Sequence, residues 1–282
     1  MISANIAVAL GKRGWKVLLV DFDLGGSNLH TLLNFGFPGK SLSDFIEKKD
    51  TKLDEVKFYL NDLSIDFIPG MVNSVPDASL KVVQRNKLIR HLKKLDYDFI
   101  IIDLGAGISP SVLDFFNIDE GVIVGVPQPT SVENIYRFAR SVLVRKLLLY
   151  KAGSRWKNEV KTYLNIGKTF YKDDLDKFLL FVKSNYKDEF DGINNLINDF
   201  SPSFILNMLS DVDLEMSEQI RIVFKKLLGI DIKILGGLPF DMEVANELKN
   251  KKLTYFERPK SLFSRGIVEI SDKIVGNDGK LL

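Results

Sequence analysis

The sequence contains no cysteine. That excludes disulfides, thiolate metal sites and thiol nucleophiles, and it fits a reducing cytosol. Histidine is almost absent, with only His30 and His91 in 282 residues, so a histidine-based metal cluster is not expected. No apolar run approaches the roughly 20 residues that span a bilayer. The opening Met1-Ile2-Ser3-Ala4-Asn5 lacks the positive segment and apolar stretch of a secretory leader. Charge of one sign is lacking too. Lys and Arg total 39 against 37 for Asp and Glu, so no global field draws the chain onto nucleic acid. There is no internal repeat and no low-complexity tract.

What is present is an ordinary globular balance, 45% hydrophobic and 27% charged, rich enough to bury a sizeable core. The pattern alternates between helix and strand. Ile2, Ile6, Ala9 and Leu10 recur at helical spacing, and Gly14 is a stop signal. Trp15 to Val20 is a nearly continuous apolar run ending in Asp21, the mark of a buried parallel strand. Further strands are read at 63–68, 99–102, 121–126, 204–209 and 232–235. Helices are read at 80–95, 131–149 and about 214–228, the first with apolar positions at Leu80, Val83, Leu88 and Leu92. Tyr150 to Ser201 breaks the rhythm: it has no convincing strand, but helical spacing at Leu175, Phe178, Leu179 and Val182 and again at Phe190, Ile193 and Ile197. The expectation is one α/β domain over 1–282, a mainly parallel sheet with helices on both faces, carrying a helical insertion at about 150–201.

In such sheets ligands bind outside the carboxyl ends of the strands. Two strands end there in acids set among glycines: Val20-Asp21-Phe22-Asp23-Leu24-Gly25-Gly26-Ser27-Asn28-Leu29 and Ile101-Ile102-Asp103-Leu104-Gly105-Ala106-Gly107-Ile108-Ser109. Carboxylate oxygens suit a hydrated Mg²⁺, and glycine lets backbone amides come close to phosphate. An Asp after a strand is equally a turn or helix-cap choice. It is the pairing of two such loops at corresponding strand ends that points to a phosphate site.

These residues carry a family resemblance. Asp21-Phe22-Asp23-Leu24-Gly25, with Asn28-Leu29 after it, resembles the switch I region of MinD and FlhG ATPases. Ile102 to Ser109 resembles their switch II region, especially the FlhG form. Pro127-Gln128-Pro129-Thr130-Ser131 is similar to the loop after the next strand. Leu206-Asn207-Met208 is similar to the strand end that faces the adenine, and Gly236-Gly237-Leu238-Pro239-Phe240-Asp241 to the loop that closes over the base. The matches run in family order over about 1–150 and 202–275. The resemblance implies a P-loop NTPase-like fold that uses ATP and Mg²⁺. Asp23 would orient the attacking water. Asp103 would hold Mg²⁺ through water, and Gly105 would sense the γ-phosphate. Asn207 and Asp241 would contact the adenine, with Pro239 in the base-binding loop. It also implies a nucleotide-dependent homodimer, an unidentified protein partner and a cytoplasmic location, with a peripheral place at the inner membrane surface as the variant.

One family element has no counterpart in the sequence. A glycine-rich loop with two lysines, ending Gly-Lys-Ser or Gly-Lys-Thr, follows the family's first strand and opens its first helix. Here nothing precedes Met1-Ile2, Gly236-Gly237 has no lysine after it, and Gly25-Gly26-Ser27 leads into Asn28. The expectation is a chain that lacks the first strand and phosphate loop and does not hydrolyse ATP alone.

Other groups read more plainly. His30 is expected as a surface or capping group and His91 as solvated. Arg137, Arg140, Arg145 and Lys146 read as a solvated helix face, with non-specific DNA binding as the alternative. The amphipathic stretch Leu262 to Val275 reads as a final helix packed on the domain, with membrane binding as the alternative. The functional expectation is an ATP-driven dimerisation switch that positions or regulates another system, flagellar number or placement among them. The alternatives are a non-catalytic pseudo-ATPase acting through protein contacts, and a metabolic relative driving amidation or electron transfer.

Overall fold

The structure is a computed structural model. It describes residues 1–23, 26–48, 50–70, 80–119, 121–151, 153–164, 171–210 and 216–276. The chain forms two compact units, 1–121 with 235–282, and 122–234.

The first unit opens with α1 (Ile2–Gly11), apolar around almost its whole circumference and buried accordingly. Its tail meets the sheet so closely that a Cβ on Gly11 would lie 2.4 Å from the Ser64 carbonyl oxygen. Then come β1 (Val17–Phe22), α2 (Leu29–Leu32), α3 (Leu42–Glu47), a 3₁₀ turn at Leu53–Val56, β2 (Phe58–Leu60) and β3 (Ile65–Ile68). α4 (Val82–Leu92), β4 (Phe99–Leu104) and α5 (Pro110–Phe116) follow. The strands pair in the order β2-β3-β1-β4. β1 is central and parallel to β3 and β4, while β2 joins antiparallel at the edge. Every residue of β1 is buried, as a central parallel strand covered on both faces requires. Leu18, Val20 and Phe22 alternate into a core with Phe45, Ile46, Leu88, Leu92 and Phe115. Their neighbours Val17, Leu19 and Asp21 take the other face.

The second unit holds β5 (Val122–Gly125), α6 (Pro129–Leu149), α7 (Lys157–Tyr163), α8 (Lys172–Asn185), α9 (Lys187–Asn198), β6 (Ser203–Leu209) and α10 (Met216–Leu228). β5 and β6 are parallel, pairing from Val122↔Ser203 to Gly125↔Leu206. α7, α8 and α9 fill the stretch read as a helical insertion, and no strand occurs there among the described residues. They enclose Trp156, fully buried, whose indole nitrogen donates to Glu189 Oε2 at 2.8 Å. Leu175, Phe178, Val182, Ile193 and Ile197 point inward, as their spacing predicts.

β7 (Lys233–Pro239) is the third strand of the sheet ordered β5-β6-β7 and leads the chain back into the first unit. α11 (Met242–Lys249), α12 (Thr254–Glu257) and α13 (Leu262–Gly276) complete the fold. α13 buries Phe263, Ile267, Ile270 and Ile274 and packs on α1.

Several expectations need correction. Asp21 and Asp103 do not end their strands: β1 runs on to Phe22 and β4 to Leu104. Gly236, Gly237 and Pro239 belong to β7, not to a loop. Gly236 lies within the strand because a Cβ there would meet Ile270 Cγ1 at 2.8 Å, so a side chain would push α13 away. Val83 is 80% exposed and contributes nothing to the core. His91 is not a solvated group: its ring stacks edge-on to Phe45 at 5.2 Å, and Nδ1 lies 2.8 Å from the Lys87 carbonyl oxygen. Leu24, Gly25 and the first residues of the helix read at 214–228 lie outside the described residues.

Candidate functional site

The site is built where β1 and β4 end side by side. Their parallel register places Asp21 opposite Asp103 and Phe22 opposite Leu104. Asp23 and Gly105, the residues that follow, therefore leave the same edge of the sheet.

Asp21 organises the first loop. Its side chain is buried, and Oδ2 accepts from the Ser27 hydroxyl at 2.7 Å and the Leu29 amide at 3.1 Å. Oδ1 accepts from the Asp23 amide at 3.2 Å. Three donors from residues two, six and eight positions later curl the loop back over the strand end. Burial raises the Asp21 carboxyl above its ordinary value, these three hydrogen bonds oppose that, and the charge of Asp103 adds to the rise. Asp23 is held in turn, with Oδ1 accepting from the Gly26 amide at 3.1 Å.

The second loop fits against the first at glycine. A Cβ on Gly105 would stand 2.6 Å from Asp23 Oδ1 and 3.5 Å from its Cα. Only a residue without a side chain lets the two loops meet. Gly107 has φ +106°, which L side chains rarely adopt, so it turns the loop toward α5. Ser109 then caps α5, its Oγ accepting from the Val112 amide at 3.3 Å, and Pro110 takes the first helical position. Phe115 of α5 packs on Phe22 with ring centroids 4.0 Å apart, tying the helix after the second loop to the strand before the first.

Asp23, Asp103 and Gly105 are thus brought together. Pro239 closes β7, and Asp241 caps α11 with Oδ1 accepting from the Glu243 amide at 2.9 Å. Asn207 lies in the other unit, one residue beyond the last β5–β6 pair, followed by Met208 at φ +58°. A left-handed non-glycine residue there costs on the order of 1 kcal/mol and marks a constrained strand end.

Two contributors were not singled out from sequence. Asp21 stands in the sequence as a strand end and the first residue of the switch I-like stretch with no role of its own, yet it carries the bonds that shape the loop. Gly70, after β3, sits so near Ser27 that a Cβ would lie 2.3 Å from Oγ. The signal was available: Ile68-Pro69-Gly70 is a third strand end closed by a Pro-Gly pair. His30 has Nδ1 enclosed without a hydrogen-bond partner and Nε2 3.3 Å from Thr31 Oγ1. On α6, Arg137 pairs with Glu133 and Lys146 lies 5.6 Å over Phe200, so that face is not a bare cationic patch. Among the described residues, no group of three or more His, Cys, Asp and Glu is placed to hold a bare metal ion. No helix among them is long and apolar enough to cross a membrane.

The carboxylates and closely approaching glycine backbone at the ends of β1 and β4 are the donor types that a hydrated divalent cation beside a phosphate takes. The antiactivator FleN of Pseudomonas aeruginosa is 32% identical over 145 residues, which is 48% of this chain and 48% of FleN. The chain spans about half the length of the first curated relatives it matches, FleN and MinD. In fold it resembles the cell division ATPase MinD of Pyrococcus furiosus, with TM-score 0.64, 20% identity, and coverage of 98% of this chain and 92% of that one. It also resembles MinD of Pyrococcus horikoshii complexed with Mg-ADP, with TM-score 0.63, 20% identity, and coverage of 97% and 88%. The description "CobQ/CobB/MinD/ParA nucleotide binding domain" matches residues 1–254. The chain therefore belongs to the CobQ/CobB/MinD/ParA nucleotide-binding domain family.

Proposed function

We propose that the chain is the switch portion of an ATP-dependent site-determining ATPase. In this reading Mg²⁺ and ATP set the conformation of the 23–28 and 105–109 loops, and those loops set its association with a second copy and a partner protein. The observation that carries the reading is the Asp21–Asp103 register, with Gly105 seated against Asp23. Because Gly105 touches Asp23, a shift of one loop on binding an anion would be passed to the other, which is the coupling a switch needs.

Asp103 is the residue that would hold Mg²⁺ through water. Asp23, fixed by the Gly26 amide, would accept a hydrogen bond from the attacking water and so orient it. Gly105 would offer its amide to the terminal phosphate. Asn207, Pro239 and Asp241 are each assigned to the base by their motifs. Mg²⁺, when bound, supplies the charge that offsets the phosphates. FleN and the flagellum site-determining protein of Helicobacter pylori, 29% identical over 147 residues, support positioning of a flagellar structure as the output. A cytoplasmic place, peripheral at the inner membrane, belongs to the same reading.

The two loops, 23–28 and 105–109, carry acids and amides but no lysine in their sequence. The proposal therefore holds that turnover needs a lysine-bearing glycine-rich loop, and that residues 1–282 alone are inactive. The experiment is titration of a fluorescent ATP analogue, with Mg²⁺ or EDTA, into the chain and into a version extended upstream. Mg²⁺-dependent binding by the extended form, lost in Asp103→Asn, supports the switch. Binding by neither form favours a non-catalytic module acting through protein contacts.

A further inference from the structure

This inference rests on Asp241 as a base-reading residue and adds a residue that governs it. Asp241 commits Oδ1 to the helix cap, where it accepts from Glu243 at 2.9 Å. Its other oxygen faces Arg258: Nη1 lies 3.6 Å from Oδ2, close enough for charge attraction and beyond a hydrogen bond. On its other side, Arg258 Nε lies 4.0 Å from Glu247 Oε1, an equally loose contact.

The looseness is not disorder of the residue's backbone. The Arg258 amide donates to the Thr254 carbonyl at 2.8 Å, and its carbonyl accepts from Ser264 Oγ at 2.7 Å and the Ser261 amide at 3.0 Å. The guanidinium is thus anchored at its base and suspended between two carboxylates. Arg258 Nη1 and Glu247 Oε2, on the two residues of that loose contact, are shut off from solvent with no hydrogen-bond partner. Buried polar atoms are normally paired, so two orphans on facing residues mark a place where something completes the bonding. Phe240 and Met242, on either side of Asp241 in the chain, are 53% and 61% exposed, an apolar setting that a flat heterocycle can use.

We propose that Arg258 is the positioning residue that sets base selectivity, holding Asp241 as a single-oxygen acceptor for an exocyclic amine. The chemistry follows from donors and acceptors. A carboxylate oxygen accepts and does not donate. Adenine presents an amine at its edge, whereas guanine presents a carbonyl there, which Oδ2 repels. Guanine's two-donor edge would need both oxygens, and Oδ1 is committed to the helix cap. Arg258 offsets the charge of Oδ2 without occupying its lone pairs. Without it, a polyanionic nucleotide meets Asp241 and Glu247 uncompensated.

The test is titration of fluorescent ATP and GTP analogues with Mg²⁺ into the full chain and its upstream-extended form, in wild type, Arg258→Ala and Arg258→Lys. In Arg258→Ala the ATP-over-GTP affinity ratio is expected to fall roughly tenfold, the size of one hydrogen bond to a charged group. Arg258→Lys, which keeps the charge, restores most of it. Combining Arg258→Ala with Asp241→Asn lowers the ratio no further than Asp241→Asn alone, because both act through one oxygen. Circular dichroism checks the fold, and Arg258→Gln serves as the neutral variant if Arg258→Ala does not fold. A folded neutral variant with an unchanged ratio, or a lysine variant no better than alanine, overturns the inference alone. Absence of nucleotide binding by both unsubstituted forms overturns the switch reading and this inference with it.

Discussion

Replacing Gly105 with alanine puts the closest contact of the site under test. The added Cβ would lie 2.6 Å from Asp23 Oδ1, 3.0 Å from Cγ and 3.5 Å from Cα. Turning the Asp23 carboxylate aside relieves the first two contacts but breaks its hydrogen bond to the Gly26 amide. The third contact is to backbone. The clash therefore forces the loops apart at a cost of about 1–3 kcal/mol. In a unit of this size that lowers the melting temperature by about 4–8 °C for a 2 kcal/mol loss. Gly107→Ala is the control. Nothing lies within 4 Å of a Cβ there, so only the strain at φ +106° acts, about 1 kcal/mol. Thermal melts followed by circular dichroism measure both. Nucleotide titration should then show a larger loss for Gly105→Ala than for Gly107→Ala. If Gly105→Ala melts with the wild type and binds as it does, the claim that the two loops are sterically coupled is wrong.

Other consequences follow from the same contacts. Gly70→Ala drives a Cβ to 2.3 Å from Ser27 Oγ and 2.8 Å from the Asp21 carbonyl, so it should break the Ser27–Asp21 bond and destabilise by about 1–3 kcal/mol, read by urea melts. The Asp21 carboxyl is raised by burial, so the folded state binds its proton more tightly than the unfolded state. Its contribution to stability is present at low pH and is lost as pH rises from the ordinary carboxylate value through the raised one. Asp21→Asn should remove that slope, and a parallel pH dependence of wild type and variant would contradict it. Arg85 and Asp114 form an ion pair only 6% and 5% exposed, 2.6 Å apart at Nε and Oδ2 but off the line of N–H donation. Arg85→Met should cost about 3–5 kcal/mol by removing the buried cation that faces this carboxylate. A loss under 1 kcal/mol in chemical denaturation would show that the pair is not what joins α4 to α5.

Much of the fold was legible in the sequence because its signals are local. The apolar run ending at Asp21 and the one ending at Asp103 reveal two buried parallel strands, and the helical spacing at Leu175, Phe178 and Val182 reveals α8. What escaped depends on partners distant in sequence. β2 is a three-residue edge strand that exists because it pairs with β3, and its own residues carry no clear alternation. β7 extends through Gly236 and Gly237, residues that alone signal a loop, and at Gly236 α13 occupies the space a side chain would fill. Val83 has the right spacing for a core residue but stands exposed in the first turn of α4. In the site, Asp23, Asp103 and Gly105 were readable from two acid–glycine loops. Gly70 was not, since its role appears only when β3 is placed beside β1 and Ser27 folds back over the strand. Arg258 belongs to the same class, being 17 residues from the carboxylate it faces.

The central claim is that Mg²⁺ and nucleotide act at the joined ends of β1 and β4. Amide hydrogen exchange on the upstream-extended chain, with and without Mg²⁺ and a non-hydrolysable ATP analogue, tests it most directly. The account predicts new protection concentrated in 21–29 and 103–109, lost when Mg²⁺ is withheld. Protection confined to the second unit, or none in these two loops at saturating nucleotide, would contradict it.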